Sequence, residues 1–217
     1  MAARIFASVV SADQADLGAA ADRLLAAGVD GLHLDLADGV FVPDLTFGVR
    51  TVRALRARTD AVLDVHLMVA RPEDYLRAVA DAGASRVSFH VEAVAYPWRL
   101  VSLARSLGIE VGAALNPVTP LETLDTLALS IDFVNLLTTE PDFAGEHLLP
   151  GMVERVARAR RDLPAEIRLQ VDGGVDSTTI GGFTDADDLV VGRGICGSED
   201  WTGAVAELRG ALSVSLR

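Results

Sequence analysis

The sequence predicts an α/β protein that folds as one closed (β/α)8 barrel, the architecture called a TIM barrel. Eight short apolar runs, bounded by Gly, Asp or Pro, alternate with longer segments whose apolar residues recur three and four apart. Strands that alternate with helices form parallel sheets with right-handed crossovers. The 217 residues suit a single barrel domain over 1–217 and would be cramped for two domains. An open doubly wound sheet is the alternative, but no GxGxxG sequence follows the first run.

The eight apolar runs are the predicted strands. They cover 4–10, 31–36, 61–68, 86–91, 110–115, 132–138, 167–171 and 188–192. Helices are predicted between several of them, at 15–28, 49–58, 72–83, 97–108 and 152–163. Pro72 and Pro97 suit a first helical turn, and Gly28, Gly83 and Gly108 suit the position just after a last turn.

Composition and charge restrict the chemistry. All 19 basic side chains are arginine, so a Schiff-base lysine, a pyridoxal-phosphate lysine and a phosphate-loop lysine are excluded. With a formal net charge of -12, we expect neither nucleic acid nor a membrane surface as a partner. The N-terminus runs directly into a predicted strand, so we expect no cleaved signal peptide. Cys196 alone cannot form an internal disulfide, which fits a reducing, cytoplasmic compartment.

The candidate site consists of polar residues near the carboxyl ends of the predicted strands, where barrel enzymes place their chemistry. His33 and Asp35 lie two apart and point to one side of a strand; Asp64 and His66 repeat this pattern on the next strand, and Asp172 ends the seventh. Two imidazoles and two carboxylates converging on a barrel axis would bind a divalent metal such as zinc, iron, manganese or cobalt. The alternative for each residue is a hydrogen-bonded core group. Burying several ionisable groups unpaired costs about a few kcal/mol each, which favours a shared cation.

Five segments of the sequence resemble one known family. They are HLDLADGVFVPDLTFG (33–48), LDVHLMV (63–69), FHVEA (89–93), ALNPVTP (114–120) and VDGG (171–174). Over nearly its whole length the chain resembles the ribulose-phosphate 3-epimerases, whose pattern H-x-D-x-M-D-G-x-F-V-P-N is similar to the first segment. The resemblance implies a (β/α)8 barrel of the ribulose-phosphate-binding type with one divalent metal ion. It implies that the metal ligands are His33, Asp35, His66 and Asp172, and that Asp35 and Asp172 are the catalytic pair.

The implied reaction suits these residue types. Inverting a carbon next to a ketone requires one acid/base group on each face of the substrate, and a metal would stabilise the enediolate formed between the two proton transfers. Asp35 and Asp172 could act as these groups without a lysine. Decarboxylases and synthases that share this barrel type commonly use a lysine, so the composition favours an epimerase. His90 and Glu92, two apart at the end of the fourth strand, are expected to support the ligands from outside or to be structural.

The sequence departs from the family pattern in the loop after the sixth strand. The family has a glycine-rich N-P-G-F-G-G-Q there, which cradles phosphate with backbone amides, whereas this chain reads EPDFAGE over 140–146. Asp142 and Ala144 replace two glycines, and Glu140 and Glu146 add flanking carboxylates. Each carboxylate would repel a phosphate dianion by about 1 kcal/mol even in a high dielectric. This loop therefore disfavours a phosphate.

At the end of the eighth strand the family's Gly-Ser is replaced by Gly192-Arg193. An arginine can bind phosphate or carboxylate through two hydrogen bonds. Three interpretations stay open: Arg193 replaces the lost phosphate cradle, it pairs with Asp142 and closes that site, or it is an exposed residue without a role.

The inner lining differs as well, because the family's methionines correspond here to Ala37, Met68 and Leu137, and Ala7 stands where the family usually has Pro. The changes either enlarge the pocket for a bulkier substrate or are neutral repacking. The candidate substrate-binding residues are Ser8, His66, Met68, Asp142, Phe143, Ala144, Gly145, Gly173, Gly174, Gly192 and Arg193.

The sequence and the resemblance together predict a metal-dependent sugar-phosphate epimerase that inverts C3 of a ketose. The default reaction is D-ribulose 5-phosphate to D-xylulose 5-phosphate, a step of the pentose phosphate pathway. The alternatives are an epimerase for a different or non-phosphorylated ketose in a specialised pathway, and a non-catalytic barrel that keeps its metal site. The expected partner is a small-molecule ketose or ketose phosphate, and the resemblance implies a homo-oligomer.

Overall fold

The computed structural model describes residues 3–141 and 147–215, and it confirms the predicted barrel. Its strands are β1 Arg4–Ser8, β2 Gly31–Ala37, β3 Val62–Met68, β4 Arg86–His90, β5 Glu110–Leu115, β6 Phe133–Leu137, β7 Arg168–Asp172 and β8 Asp188–Val191. Each strand pairs in parallel with the next, and β8 pairs with β1, so the sheet has no free edge. The open doubly wound alternative is therefore excluded.

Helices surround the sheet and connect its strands. Those described are α1 Leu17–Ala26, α2 Val49–Arg56, α3 Leu76–Asp81, α4 Pro97–Leu107, α5 Met152–Asp162, α6 Arg193–Cys196 and α7 Trp201–Ser215. Between β5 and β6 the chain forms two 3-10 turns, Leu121–Leu124 and Ala128–Ser130, in place of an α-helix. No helix within 3–141 or 147–215 is both long enough and apolar enough to cross a lipid bilayer.

The helix ends follow the sequence signals with one local difference. Gly28, Gly83 and Gly108 all have positive φ and follow α1, α3 and α4, as predicted. The helix predicted at 72–83 instead begins with a 3-10 turn, Pro72–Asp74, and becomes α-helical only at Leu76. Hydrogen bonds from each residue to the third preceding one tighten this turn, which is common at helix N-termini.

The two faces of each strand have different chemistry. In β2 every residue is buried, because the outer face packs against helices and the inner face fills the barrel. Leu32, Leu34 and Leu36 belong to the apolar layer between the sheet and the helices. His33 and Asp35 alternate with them and therefore point to the axis. The interior of this barrel is thus partly ionic.

The lower part of the barrel, near the strand N-termini, contains a buried ion network centred on Arg86, which is 1% exposed. Its guanidinium lies between the rings of Phe6 and Phe133, 4.2 and 4.6 Å from their centroids. Arg86 donates to Asp188 at 2.5 Å and to Asp64 at 3.0 Å. Burial opposes ionisation of Asp64, but the charges of Arg86 and His33 and the hydrogen bonds from His33 and Gln170 together outweigh it, and the pKa of Asp64 falls well below its usual range.

Gly112, on the neighbouring strand β5, makes room for this network. A Cβ at Gly112 would lie 2.5 Å from the Phe133 ring, so only glycine allows the ring to turn inward and cover Arg86. At the lower rim Arg4 binds Asp188 through two hydrogen bonds of 2.9 Å, and Arg168 also donates to it. The network therefore extends from the barrel interior to its N-terminal end.

We predict that Arg86→Met lowers the free energy of unfolding by about 3 kcal/mol, because it leaves Asp64 buried without its arginine. Urea unfolding followed by circular dichroism measures the change. Arg58→Met is the matched control, because Arg58 pairs with Asp22 on the surface and both side chains are about half exposed. Equal stability of the Arg86→Met variant and the wild type would contradict the prediction.

Candidate active site and metal centre

Four predicted residues meet at the upper, C-terminal end of the barrel axis. His33, Asp35, His66 and Asp172 each offer one ligand atom, and these atoms all lie within 4.8 Å of one another. His33 Nε2 is 3.0 Å from Asp35 Oδ1 and 3.3 Å from Asp172 Oδ2. His66 Nδ1 is 3.1 and 3.3 Å from the same two oxygens. Both imidazoles are fully buried, and Asp172 is the most exposed member, at 15% of its side chain.

The strand register explains the convergence. Asp35 on β2 pairs directly with His66 on β3, so their side chains leave the sheet side by side. His33 precedes Asp35 by two residues and points to the same side from one step lower along the strand. Asp172 is the last residue of β7 and reaches the axis from another part of the barrel. Residues distant in sequence thus form one cluster.

The electrostatics of the cluster favour a cation. Burial opposes protonation of His33, but Asp35, Asp172 and Asp64 outweigh it and raise the pKa of His33 well above its usual value. Burial opposes protonation of His66 too, but the hydrogen bonds to Asp172 and Asp35 and the charges of these two carboxylates together raise its pKa. The two histidines in turn hold the pKa values of Asp35 and Asp172 low despite burial. Two ionised carboxylates therefore attract positive charge to the point between the two imidazoles.

The donor set fits a divalent metal ion. Two imidazole nitrogens and two carboxylate oxygens are a mixed set that zinc, iron, manganese and cobalt accept. Ligand atoms about 2.0–2.1 Å from a tetrahedral zinc ion lie roughly 3.3–3.4 Å apart. The nitrogen–oxygen separations of 3.0–3.3 Å are close to that spacing. The four ligand atoms all lie within 4.8 Å of one another, so the cluster could hold one ion if its wider pairs move closer together.

Each histidine also makes a second contact on the side away from the carboxylates. His33 Nδ1 is 2.7 Å from Asp64 Oδ2. His66 Nε2 is 2.9 Å from His90 Nε2, and His90 Nδ1 is 3.1 Å from Glu92 Oε2. Burial lowers the pKa of His90 to about 4, so this imidazole is neutral. His90 contacts the candidate ligand His66 from outside the cluster, and Glu92 contacts His90. This arrangement corresponds to one of the two roles that the sequence suggested for His90 and Glu92.

A cavity opens above the cluster at the C-terminal end of the barrel, and Asp35 and Asp172 contribute to its floor. Six of the predicted substrate-binding residues line it: Ser8, Met68, Gly173, Gly174, Gly192 and Arg193. His66, a seventh, lies buried in the cluster and is not part of the lining. Asp142, Phe143, Ala144 and Gly145 lie outside the described residues, as does Glu146.

Ser8 also contacts one of the cluster carboxylates. Its hydroxyl donates to Asp35 Oδ2 at 2.8 Å, while the other oxygen of Asp35 faces the two imidazoles. The hydrogen bond fixes the rotation of the carboxylate at the cavity floor. The sequence predicted Ser8 as a substrate contact and gave no signal of this bond.

Tight backbone turns form one side of the cavity. Gly173 and Gly174 follow Asp172 with φ of +108° and +65°, which residues with a side chain rarely adopt. A Cβ at Gly192 would lie 2.4 Å from the hydroxyl oxygen of Ser11. The three glycines therefore bring backbone, rather than side chains, to this side of the cavity.

An apolar wall adjoins the cavity, whose lining includes two of its residues, Met68 and Leu137. Ala37, Val42, Met68 and Leu137 make a small buried cluster with Phe41 packed against it. The Phe41 ring lies 4.6 Å from the His90 ring, so the wall also covers His90, the imidazole that contacts His66. All three positions that correspond to family methionines belong to this wall.

Sequence reasoning missed several lining residues, among them Ser11, Thr139 and Asp176. Each follows the end of a strand, at the same end of the barrel as the predicted residues. That position is the signal that could have indicated them, because loops at this end form the sites of barrel enzymes. Arg193, the first residue of α6, lines the cavity and is exposed.

Comparison with known proteins gives consistent matches. The model of the ribulose-phosphate 3 epimerase family matches residues 4–196. The cytoplasmic isoform of ribulose-phosphate 3-epimerase from Oryza sativa subsp. japonica is 37% identical, over 99% of this chain and 96% of the relative. Ribulose-phosphate 3-epimerase from Escherichia coli K12 is 36% identical, over 95% of this chain and 94% of the relative.

Solved structures support the fold alone, because their sequences are much less similar. 3-Hexulose-6-phosphate synthase from Salmonella typhimurium superimposes with a TM-score of 0.77 at 16% identity, over 98% of this chain and 99% of that chain. KGPDC from Streptococcus mutans gives a TM-score of 0.77 at 18% identity, over 99% of both chains. The family model and the curated relatives, which cover nearly the whole sequence, show that the chain belongs to the ribulose-phosphate 3-epimerase family.

Proposed function

We propose that this protein is a metal-dependent epimerase that inverts C3 of a ketose phosphate, by default interconverting D-ribulose 5-phosphate and D-xylulose 5-phosphate. The observation that supports it best is the pair of carboxylates, Asp35 and Asp172, on one cavity floor. Asp35 Oδ1 and Asp172 Oδ2 contact the imidazoles, which leaves the second oxygen of each carboxyl group for accepting or returning a proton. The names of the rice and E. coli relatives support the choice of substrate.

In this proposal His33, Asp35, His66 and Asp172 hold one divalent ion of zinc, iron, manganese or cobalt. The bound ion would supply the positive charge that stabilises an enediolate. The donor set and the spacing of the ligand atoms support this assignment. The protein then needs no lysine as an electrophile, in agreement with its composition.

The two aspartates would carry out the proton transfers. One carboxylate removes the C3 proton from one face of the substrate, and the carboxylic acid form of the other returns a proton to the opposite face. Asp35 has an oxygen for this step, because Oδ1 faces the imidazoles and Oδ2 is held at the cavity floor by Ser8. Asp172 likewise presents Oδ2 to the imidazoles, which leaves Oδ1 for proton transfer.

The other end of the substrate would lie against the backbone of Gly173, Gly174 and Gly192, with its phosphate bound by Arg193. Arg193 supports this assignment because its exposed side chain is part of the cavity lining. The expected contacts from Asp142, Phe143, Ala144 and Gly145 belong to the same proposal. A bidentate guanidinium can compensate for backbone amides lost from a glycine-rich loop.

The remaining expectations concern the cellular setting. The name of the rice relative, a cytoplasmic isoform, supports a cytoplasmic location. The formal charge of -12 supports a small-molecule substrate rather than nucleic acid or an anionic membrane surface. We also propose a homo-oligomer, on the basis of the family resemblance.

We predict that Asp35→Asn and Asp172→Asn each slow the exchange of the C3 proton by at least about 10²-fold, because an amide cannot accept that proton. The experiment incubates each protein with a divalent metal and D-ribulose 5-phosphate in deuterium oxide, and proton NMR follows the C3 signal. Asp44→Asn, an exposed change in the loop after β2, is the matched control. Wild-type exchange in either cluster variant would contradict the two-aspartate assignment.

The same assay separates the proposed function from its alternatives. Exchange with a free ketose but not with its phosphate would support an epimerase for a non-phosphorylated ketose. No exchange with any ketose, free or phosphorylated, would support a metal-binding barrel without catalytic activity.

We predict that Arg193→Ala raises KM for the phosphorylated substrate by about 10–100-fold, the loss expected for a charge-assisted hydrogen bond worth roughly 1.5–3 kcal/mol. Steady-state kinetics measures the change, and Arg193→Lys is the conservative comparison. An unchanged KM would favour the pairing of Arg193 with Asp142 or an exposed side chain without a role.

We predict that removal of divalent metal with a chelator abolishes the exchange and lowers the melting temperature, and that adding the metal back restores both. A ligand at 100 times its dissociation constant stabilises the native state by about 2.7 kcal/mol. Calorimetry in the presence and absence of the metal measures the shift. Full exchange activity in a chelated, metal-free sample would contradict a role for the metal.

A further inference from the structure

The two candidate histidine ligands face the carboxylates through different ring nitrogens. His33 presents Nε2 to Asp35 and Asp172, whereas His66 presents Nδ1 to them. A neutral imidazole has one nitrogen with a lone pair and one that carries hydrogen. To act as ligands, His33 must carry its hydrogen on Nδ1 and His66 must carry its hydrogen on Nε2.

The surroundings of His33 select that tautomer. Its Nδ1 lies 2.7 Å from Asp64 Oδ2, and an ionised carboxylate can only accept a hydrogen bond. Arg86 donates to the same carboxylate at 3.0 Å, and Gln170 donates at 2.6 Å. These donors keep Asp64 charged and fix its rotation. The hydrogen of His33 is therefore held on Nδ1.

The surroundings of His66 select the opposite tautomer through one more residue. Glu92 Oε1 accepts from the backbone N–H of Asn116 at 2.8 Å and from the Thr119 hydroxyl, and Glu92 Oε2 is 3.1 Å from His90 Nδ1. His90 must therefore donate from Nδ1, which leaves its Nε2 as an acceptor. The hydrogen between His90 and His66 then belongs to His66 Nε2.

We propose that Asp64 with Arg86, and His90 with Glu92, are positioning residues that hold His33 and His66 in opposite tautomers and thereby set the affinity for a divalent metal. The inference rests on the metal-dependent function proposed above. Partners that orient a ligand from outside typically change metal affinity by about 10–100-fold when they are lost. The four residues would do so without contacting the metal.

Asp64→Asn is the first test. Its side-chain oxygen could accept from His33, but its NH2 group would then face the guanidinium of Arg86, so one contact is lost in either orientation. We expect the dissociation constant for Zn²⁺, measured by competition with a chromogenic chelator, to rise by about 10–100-fold. Asp188→Asn is the matched control: Asp188 also accepts from Arg86, and its carboxylate binds arginines rather than a histidine. If both variants weaken zinc binding equally, or if neither weakens it, the inference is overturned.

Glu92→Gln provides a second test without altering the buried ion network. The amide must turn its NH2 group either to the N–H of His90 or to the N–H of Asn116, and both are donors. We expect a rise of about 10–100-fold in the zinc dissociation constant with little change in the melting temperature of the metal-free protein. Glu122→Gln is the control, because Glu122 is exposed and pairs with Arg158. A dissociation constant like that of this control would contradict a role for Glu92.

The tautomers can also be observed directly in the zinc-loaded wild type. Long-range nitrogen–proton NMR spectra of the histidine rings distinguish a protonated from an unprotonated nitrogen. We expect hydrogen on Nδ1 of His33 and on Nε2 of His66, and the reverse assignment for either ring would overturn the inference. Failure of the wild type to bind zinc, cobalt, manganese or iron would reject the proposed metal-dependent function and the inference together. Normal binding by the wild type and both variants would reject only the inference.

Discussion

The constraint on which the rest of the structure depends is that charges buried on the barrel axis must meet opposite charges. In the lower part, arginine guanidinium groups satisfy Asp188 and Asp64. Arginine suits this place because its planar group lies between two aromatic rings while it binds two carboxylates. In the upper part the partners of Asp35 and Asp172 are the imidazoles of His33 and His66, whose raised pKa values reflect the negative charge of the two carboxylates. The same constraint thus produces a buried ion network near the strand N-termini and a cation site near the strand C-termini.

Much of the fold could be predicted because its signals are local. Mainly apolar runs of five to eight residues predicted strands whose ends differ from those in the structure by at most two residues. Helix α7 was not predicted, because its segment includes Gly203 and Gly210 and several residues with low helix propensity. Packing of Trp201, Val205 and Leu208 into the apolar layer compensates for that weakness. Such tertiary contacts are not visible in a local pattern.

The candidate site was predictable for a different reason. Alternation along a strand tells which side a residue faces, so His33, Asp35 and His66 could be placed on the axis together. Alternation does not predict the register of each strand, that is, its position along the barrel axis relative to its neighbours. Asp64 shares a face with His66 but lies lower, where it contacts His33 and Arg86. The contacts of Glu92 with the segment after β5 depend likewise on how neighbouring strand ends are staggered.

The parts of the site that would transfer protons and the parts that would select a substrate have different structural supports. Asp35 and Asp172 lie on strands, whose register is fixed by the closed sheet. Arg193 lies on a short helix after β8, and the altered sequence EPDFAGE follows β6. Loops tolerate substitution far better than paired strands do. A chain of this family can therefore retain the chemistry at C3 while its phosphate contacts change, because binding energy from a remote substrate group is supplied by residues outside the strands.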